Sequence, residues 1–272
     1  MFYIIEAESQ LQKFNDHYFK EAFLQIVPLN YNYHPELSSI SLIYIRPFNS
    51  HKGFMMCLNT DESFNLDQGK VLNALSKFEK LYVVDKKDAL YYLPFESILY
   101  DIKLQFEVDT PNLPIFRHYY NTHPHLKDVN KLIPISLHYE YCETLFNSIA
   151  FDQLDTSAKW YKFYNTYAIP SFYLIEQHGI TTDVEDINNY FKPDNVNLNI
   201  KDNIIYTKYN LYNLTSRPSN SFNNINFVAL NKTNGCRTSF KAKNDALIEM
   251  DYDSYHIRIL GKLIGDKFSD DN

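Results

Sequence analysis

The sequence predicts a mixed α/β (α+β) fold, and three observations carry the prediction. Short apolar runs rich in β-branched and aromatic residues alternate with stretches of helical spacing through the first third of the chain. A proline-marked stretch follows at Thr110 to Pro124, with Pro111, Pro114 and Pro124. Beyond it, two long helical patterns give way to strand-like runs from Ile204 onward. This alternation suggests a small sheet flanked by helices.

Taken in order, Phe2 to Ile5 is a short apolar run and Glu8 to Phe19 has helical spacing. Phe23 to Val27 and Ser39 to Ile45 read as strands, and Met55 to Leu58 as a further one. Asp67 to Lys80 repeats Val71, Leu72, Leu75 and Phe78 at helical intervals. Leu81 to Val84 is a strand, and Ala89 to Tyr100 is short and mixed. Ile135 to Ala150 and Trp160 to His178 are the long helices, and His178-Gly179 gives the second one a stop. Phe191 to Asn203, polar and containing Pro193, reads as a loop. Leu247 to Asp251 reads as a strand and Ser254 to Ile264 as a helix.

Composition narrows the function classes. A hydrophobic fraction of 45% supports an ordinary core and argues against global disorder. The 23 Tyr and 20 Phe, with frequent Asn, Ile and Lys, match A/T-rich codon usage before they match any function. The net charge of −7 argues weakly against nucleic-acid binding without excluding it, because only the local field at a groove matters. Cys57, Cys142 and Cys236 are far apart, so neither a zinc site nor a disulfide framework is indicated, and a reducing setting fits. The stretch from Met1 to Glu8 lacks a basic start and a long apolar run, so no signal peptide is expected. No run approaches the ~20 apolar residues of a membrane span.

The chemistry concentrates near the end. In Ala246 to Asp266 an apolar strand delivers a carboxylate, Asp251, beside the start of a helix. A metal-bound triphosphate could sit there. Spacing alone favours a plainer alternative, in which Asp251 is a helix N-cap and Ser254 a second capping group.

Beyond spacing, the segment resembles motif A of family A (DNA polymerase I-like) DNA polymerases, D-Y-S-Q-I-E-L-R-x-L-A-x-L-S-G-D. Asp251, Tyr252, Arg258, Leu260, Leu263, Gly265 and Asp266 match in register. The resemblance implies that Asp251 holds two Mg²⁺ ions for nucleotidyl transfer, with the Tyr252 backbone carbonyl as a further metal ligand and Arg258 as a structural residue of the motif. Metals are needed because in-line displacement at phosphorus must organise the 3′-hydroxyl and absorb charge. Upstream, Tyr206-Thr207 with Thr215 to Asn220 is similar to the family's T-G-R-L-S-S segment. Phe222 to Asn226 is similar to P-N-L-Q-N-I-P, and Gly235 to Phe240 to G-x-R-x-x-F. The resemblance places Arg217, Asn223, Asn224 and Arg237 on primer-template DNA. Arg and Asn suit minor-groove acceptors and phosphates. Ile175 to Asp183 resembles the M-E-x-x-G-V-x-V-D element at the thumb base.

Departures are equally specific. His256 stands where the family has the Glu that lies against the incoming sugar, so sugar discrimination is in doubt. Ser216 replaces the glycine of T-G-R. The stretch from Asp183 to Tyr206 is short, which implies a much reduced thumb. No K-x-x-x-N-F-G-x-x-Y-G fingers helix and no H-D-E motif occur, so the chain alone is not expected to polymerise DNA. It is expected to be a fragment, or to use a second polypeptide carrying fingers and remaining palm.

Residues 1–110 resemble, more faintly, the family's RNase H-like 3′-5′ exonuclease domain, with Tyr100-Asp101 at its F-D. The strand that should carry D-x-E reads Leu24-Gln25-Ile26-Val27, so the domain is expected to be degenerate. Glu6 and Glu8 have D-x-E spacing but mark a helix start, and Asp85 and Asp88 read as surface or capping residues. His118, His123 and His125 could bind a metal but read as a solvated linker.

The expected organisation is therefore an exonuclease-like domain at 1–110 and a linker at 111–125. A helical region with the reduced thumb base follows at 126–203, and a partial palm at 204–272. The expected function is part of a template-directed DNA polymerase, binding primer-template DNA, dNTP and Mg²⁺. A bacterial or phage-infected host cytoplasm is the expected setting, without membrane contact. The alternatives are a non-catalytic DNA-binding derivative and a 3′-5′ exonuclease.

Overall fold

The computed structural model describes residues 3–17, 19–29, 33–60, 65–109, 135–192, 196, 199–213, 218–220, 225–227, 229–231, 233–246, 248 and 259. The chain forms two compact units, residues 1–240 and 241–272. It is a mixed α/β protein built on a mixed parallel and antiparallel sheet.

The sheet uses β1 (Tyr3–Ile5), β2 (Glu21–Pro28), β3 (Ile40–Pro47), β4 (Phe54–Cys57), β5 (Lys80–Val83) and β6 (Leu99–Asp101). Their spatial order is β1-β4-β3-β2-β5-β6. The strands β2, β3 and β4 form an antiparallel meander, with Leu24 opposite Ile45 and Leu42 opposite Cys57. On one side β5 runs parallel to β2, and β6 runs parallel to β5. On the other, β1 runs parallel to β4.

Both faces of the sheet are covered, which is why β2 and β3 read as near-continuous apolar runs and not as alternations. Ala22, Leu24, Ile26, Ile43 and Ile45 face a core shared with α1 (Glu8–Asp16) and α2 (Gln68–Leu75). Phe23, Val27, Leu42 and Tyr44 face the opposite core, closed by Tyr141, Cys142 and Leu145 of α5 (Ile135–Ser148). The thiols of Cys57 and Cys142 are buried there.

Two helices are shorter than their periodicity suggests. Helix α1 ends at Asp16, and Phe19 packs on the rings of Phe14 and Phe78. Helix α2 starts on an Asp67 cap, whose Oδ1 accepts from Lys70 N–H at 2.8 Å, and ends at Leu75. Glu79 and Lys80 donate their N–H groups to Lys20 O, which draws the chain into β5 beside β2. Tertiary pairing outbids the local pattern at both ends.

The stretch Ala89 to Tyr100 begins inside α3 (Lys86–Ala89) and reaches β6 through a 3₁₀ turn at Glu96–Ile98. Helix α4 (Ile102–Asp109) follows. The long helix at the Trp160 to His178 pattern is α6 (Lys159–Phe163), a π-helical turn (Tyr164–Ala168) and α7 (Ile169–His178). The π turn has a clear cause. Ile169 N–H bonds to Tyr164 O, and the next donor in that series would be Pro170, which has no N–H. The Asn165 carbonyl therefore takes the buried Lys86 ammonium, at 2.8 Å. The Asn165 side chain accepts from Asp101 N–H and donates to Leu99 O, both at 3.1 Å, and Tyr161 OH donates to Asp101 O at 2.9 Å. Together they cover the outer edge of β6, as exposed edges require.

Gly179 ends α7 with φ +56°. A β-carbon there would lie 2.9 Å from Ile205 O, so the position needs glycine. After β7 (Ile180–Thr181) and α8 (Val184–Ile187), the segment expected to be loop contains a hairpin. It pairs β8 (Ile200–Lys201) with β9 (Ile204–Ile205). Its turn residues Asp202 and Asn203 have φ of 52° and 61°, the left-handed pair that tight hairpins favour. The strands β10 (Tyr209–Asn210) and β11 (Ser219–Asn220) form a second antiparallel pair. In the smaller unit, the expected strand at Leu247 to Asp251 and helix at Ser254 to Ile264 lie outside the described residues, except for Ile248, which is not in a strand, and Ile259, which is helical. Among the described residues no helix is long and apolar enough to cross a membrane.

Candidate nucleic-acid interface

A small apolar core gathers the late segments of the first unit. Ile187, Val196, Ile205 and Ile225 are buried in it, with Ile180, Phe191, Ile200, Phe227 and Phe240 packed around them. Asp183 caps α8 by accepting from Asp186 N–H at 3.1 Å. Ser239 O accepts from Asp183 N–H at 2.8 Å and from Thr182 Oγ1 at 3.0 Å, and Thr182 bridges to Phe240. This pins the 3₁₀ turn Cys236–Ser239, on which Arg237 is exposed. Its guanidinium donates to Leu230 O at 3.5 Å, and an exposed guanidinium of this kind has the donor geometry to grip a phosphate.

Arg237 is the one predicted DNA-contact residue that can be placed. Arg217, Asn223 and Asn224 lie outside the described residues, as do Asp251, Tyr252, His256 and Arg258. So do His118, His123 and His125. Their neighbours are placed: Asn220 is buried on β11, and Ile225 is buried in the small core. Glu8 opens α1 and pairs with Lys70 at 2.5 Å on the surface, as a helix-start residue should.

Beneath this core runs an ionic network that sequence reasoning missed. Lys87 of α3 and Glu176 of α7 form a buried ion pair. Lys87 Nζ also donates to Tyr209 O at 2.5 Å, while Tyr209 N–H and Tyr91 OH donate to the Glu176 carboxylate. Burial pushes the Glu176 carboxyl up, and Lys87 with the Tyr209 amide pulls it back. Lys208 pairs with Asp88. Asp85 caps α3 through Asp88 N–H at 3.1 Å and faces Lys103 at 3.5 Å. Burial would raise the Asp85 carboxyl, but Lys103, Lys87 and Lys208 hold it below the usual carboxylate range. The capping reading of Asp85 thus holds, but both acids are partly buried parts of a network and not surface groups. Asp101, at the predicted F-D, is fully buried and accepts from Lys86 N–H and Leu104 N–H, both at 2.6 Å. Burial and the nearby Asp85 raise its carboxyl.

This network fastens Tyr206 to Asn210 to the large sheet. His34 completes the attachment. Its ring stacks on Tyr206 with centroids 5.4 Å apart, its Nε2 bonds Thr207 O at 3.0 Å, and its Nδ1 accepts from Glu36 N–H at 3.3 Å. Both nitrogens are used in the neutral form. Burial, then Lys208, lowers its pKa from 6.5 to about 3. Burial alone lowers that of His138 on α5 to about 4.

A pH dependence follows. Above 6.5 both histidines are neutral in folded and unfolded chains, and this stability is fully present. As pH falls from 6.5 towards 4, the unfolded chain binds protons that the folded chain refuses. Stability should therefore fall by up to about 1.4 kcal/mol per pH unit for each histidine. Urea midpoints at pH 7.5, 6 and 5 check this, and His138→Leu should roughly halve the histidine contribution to the slope.

No protein family matches the chain, and no curated protein matches it either. Among the described residues no group of three or more His, Cys, Asp or Glu could hold a metal. The donors that the motif resemblance assigns are the Asp251 carboxylate and the Tyr252 carbonyl. They are hard oxygens that suit Mg²⁺, but they form an incomplete ligand set.

Proposed function

We propose that this chain is part of a template-directed DNA polymerase resembling family A. On this reading, the N-terminal sheet is a degenerate RNase H-like exonuclease domain that supports a partial palm. The observation that carries the reading is the in-register run Asp251, Tyr252, Arg258, Leu260, Leu263, Gly265 and Asp266. The strand order supports it. An antiparallel meander β4-β3-β2, extended beside its first strand by parallel β5 and β6, is the arrangement an RNase H-like domain requires. Leu24 and Ile26, where D-x-E is expected, are buried in the core, which favours a supporting over a nucleolytic role. The small core also gathers elements from Ile180, Ile205, Ile225 and Phe240, the neighbourhoods of the successive polymerase-like segments.

In this reading Arg237, Arg217, Asn223 and Asn224 hold primer-template DNA, and His256 lies against the sugar of the incoming nucleotide. Mg²⁺ bound at Asp251 supplies charge neutralisation for the triphosphate. The remaining ligands and the fingers come from further polypeptide, in the same or a second chain.

The test is reconstitution with a chain carrying fingers and the remaining palm, followed by primer extension. Asp251→Ala should reduce extension to background while leaving duplex binding within about twofold, because the carboxylate serves chemistry and not grip. Normal extension by the reconstituted mutant would overturn the Asp251 assignment. Binding without synthesis in every combination would favour a non-catalytic DNA-binding protein. Mg²⁺-dependent primer shortening would favour an exonuclease.

A further inference from the structure

We infer that Asn220 is a positioning residue of the nucleic-acid interface, acting through Phe227 and Phe240 on Arg237. The inference rests on the DNA-binding part of the reading above.

Asn220 is fully buried. A buried amide is costly unless both of its ends are bonded. Here both are. Nδ2 donates to Thr207 Oγ1 at 2.5 Å, and Oδ1 accepts from Phe227 N–H at 2.5 Å. Thr207 is itself held, because its carbonyl bonds His34. The Asn220 backbone pairs with Tyr209 in the β10–β11 ladder. One side chain therefore ties three stretches of chain together: the strand leaving Ile205, the β11 strand, and the return at Ile225 to Phe227.

The connection continues to Arg237. The Phe227 ring meets the Phe240 ring edge-on, with centroids 5.3 Å apart and an interplanar angle of 84°. Phe240 N–H bonds Arg237 O at 3.3 Å, closing the turn that presents the guanidinium. Arg237 is exposed, so beyond the long contact of its tip with Leu230 O its place is set from the backbone. Asn220 also stands between the stretches carrying Arg217 and Asn223-Asn224, three residues from Arg217 and three from Asn223 along the chain. The ligand on this surface is duplex DNA, gripped at its phosphates.

The experiment measures fluorescence anisotropy of a primer-template duplex over a salt series. It uses wild type, Arg237→Ala, Asn220→Ala, the double variant and Thr207→Val, each checked for folding by circular dichroism. Arg237→Ala should lower the slope of log K against log salt by about one. Asn220→Ala should weaken binding about tenfold, the equivalent of one buried hydrogen bond lost, and lower the slope similarly. If Asn220 acts through Arg237, the double variant should be weaker than either single by less than the product of their effects. A purely structural role would leave the slope unchanged. Wild-type affinity and slope in a folded Asn220→Ala protein, or strictly multiplicative effects, overturn the inference while the DNA-binding reading survives. Failure of wild type to bind the duplex at low salt overturns both. Should Asn220→Ala fail to fold, Thr207→Val breaks only the upstream bond and should lower affinity and slope in the same direction; no change there overturns the inference.

Discussion

Replacing Lys87 with methionine should destabilise the fold by about 3–5 kcal/mol, because it strands a carboxylate in the interior. Lys87 and Glu176 are both buried, and Glu176 also receives Tyr209 N–H and Tyr91 OH. The pair crosses from α3 to α7 and, through Tyr209, to β10. Taking away the ammonium leaves Glu176 charged without its counterion, or forces it to take up a proton. The double variant Lys87→Met/Glu176→Leu should recover most of the loss, since a buried ion pair is often replaceable by apolar groups of similar size. For a chain of this length the single variant should melt roughly 10 °C lower. A melting temperature for Lys87→Met within about 2 °C of wild type would show that the pair is not buried in the protein.

The second large effect is expected at Gly53. A β-carbon there would fall inside the van der Waals envelope of the Tyr44 ring. Tyr44 cannot retreat: it is fully buried, and its OH donates to Glu143 Oε1 at 2.7 Å. The same oxygen accepts from Gly53 N–H at 3.0 Å, Tyr139 OH at 2.9 Å and Arg46 Nη1 at 3.2 Å. One carboxylate of α5 thus organises β3, β4 and the helix that covers them. Burial first, then the Glu143 bond, keeps the Tyr44 phenol protonated far above the usual range. Gly53→Ala should cost about 3 kcal/mol, at the upper end for overpacking, because either the ring or the strand must shift and Glu143 loses partners with it. Gly69→Ala is the control. Its β-carbon would meet only Asp67 Oδ1, at 3.2 Å, and the change should stay within about 1 kcal/mol. Urea denaturation of the two variants side by side distinguishes them. Equal midpoints would mean that the Tyr44–Gly53 approach is not as tight as described.

Much of the architecture was legible in the residues. The runs Phe23 to Val27 and Ser39 to Ile45 are apolar almost throughout, and they became the two strands buried on both faces. Gly179 stopped its helix as a left-handed glycine should, and Asp85, read as a surface or capping residue, caps α3. The hairpin at Ile200 to Ile205 was missed, although its Asp202-Asn203 turn between apolar pairs was a usable signal. The proposed interface rests on an order of segments in the sequence. Of the contact residues expected there, Arg237 lies within the described residues, and the buried Asn220 beside them holds the surrounding turns.

The sequence by itself determined the alternation of elements and the caps, because periodicity and capping act within a turn or two of chain. It also carries, in order from Asp183 to Asp266, the segments on which the proposed function rests. Only the tertiary structure decided where α1 and α2 stop, why Asn165 and Lys86 meet at a π turn, and that Lys87 finds Glu176 at 89 positions' distance. A charged side chain shows its type in the sequence but not its partner. The partner is set by which distant elements the sheet topology brings together, and burial then makes that choice costly to change.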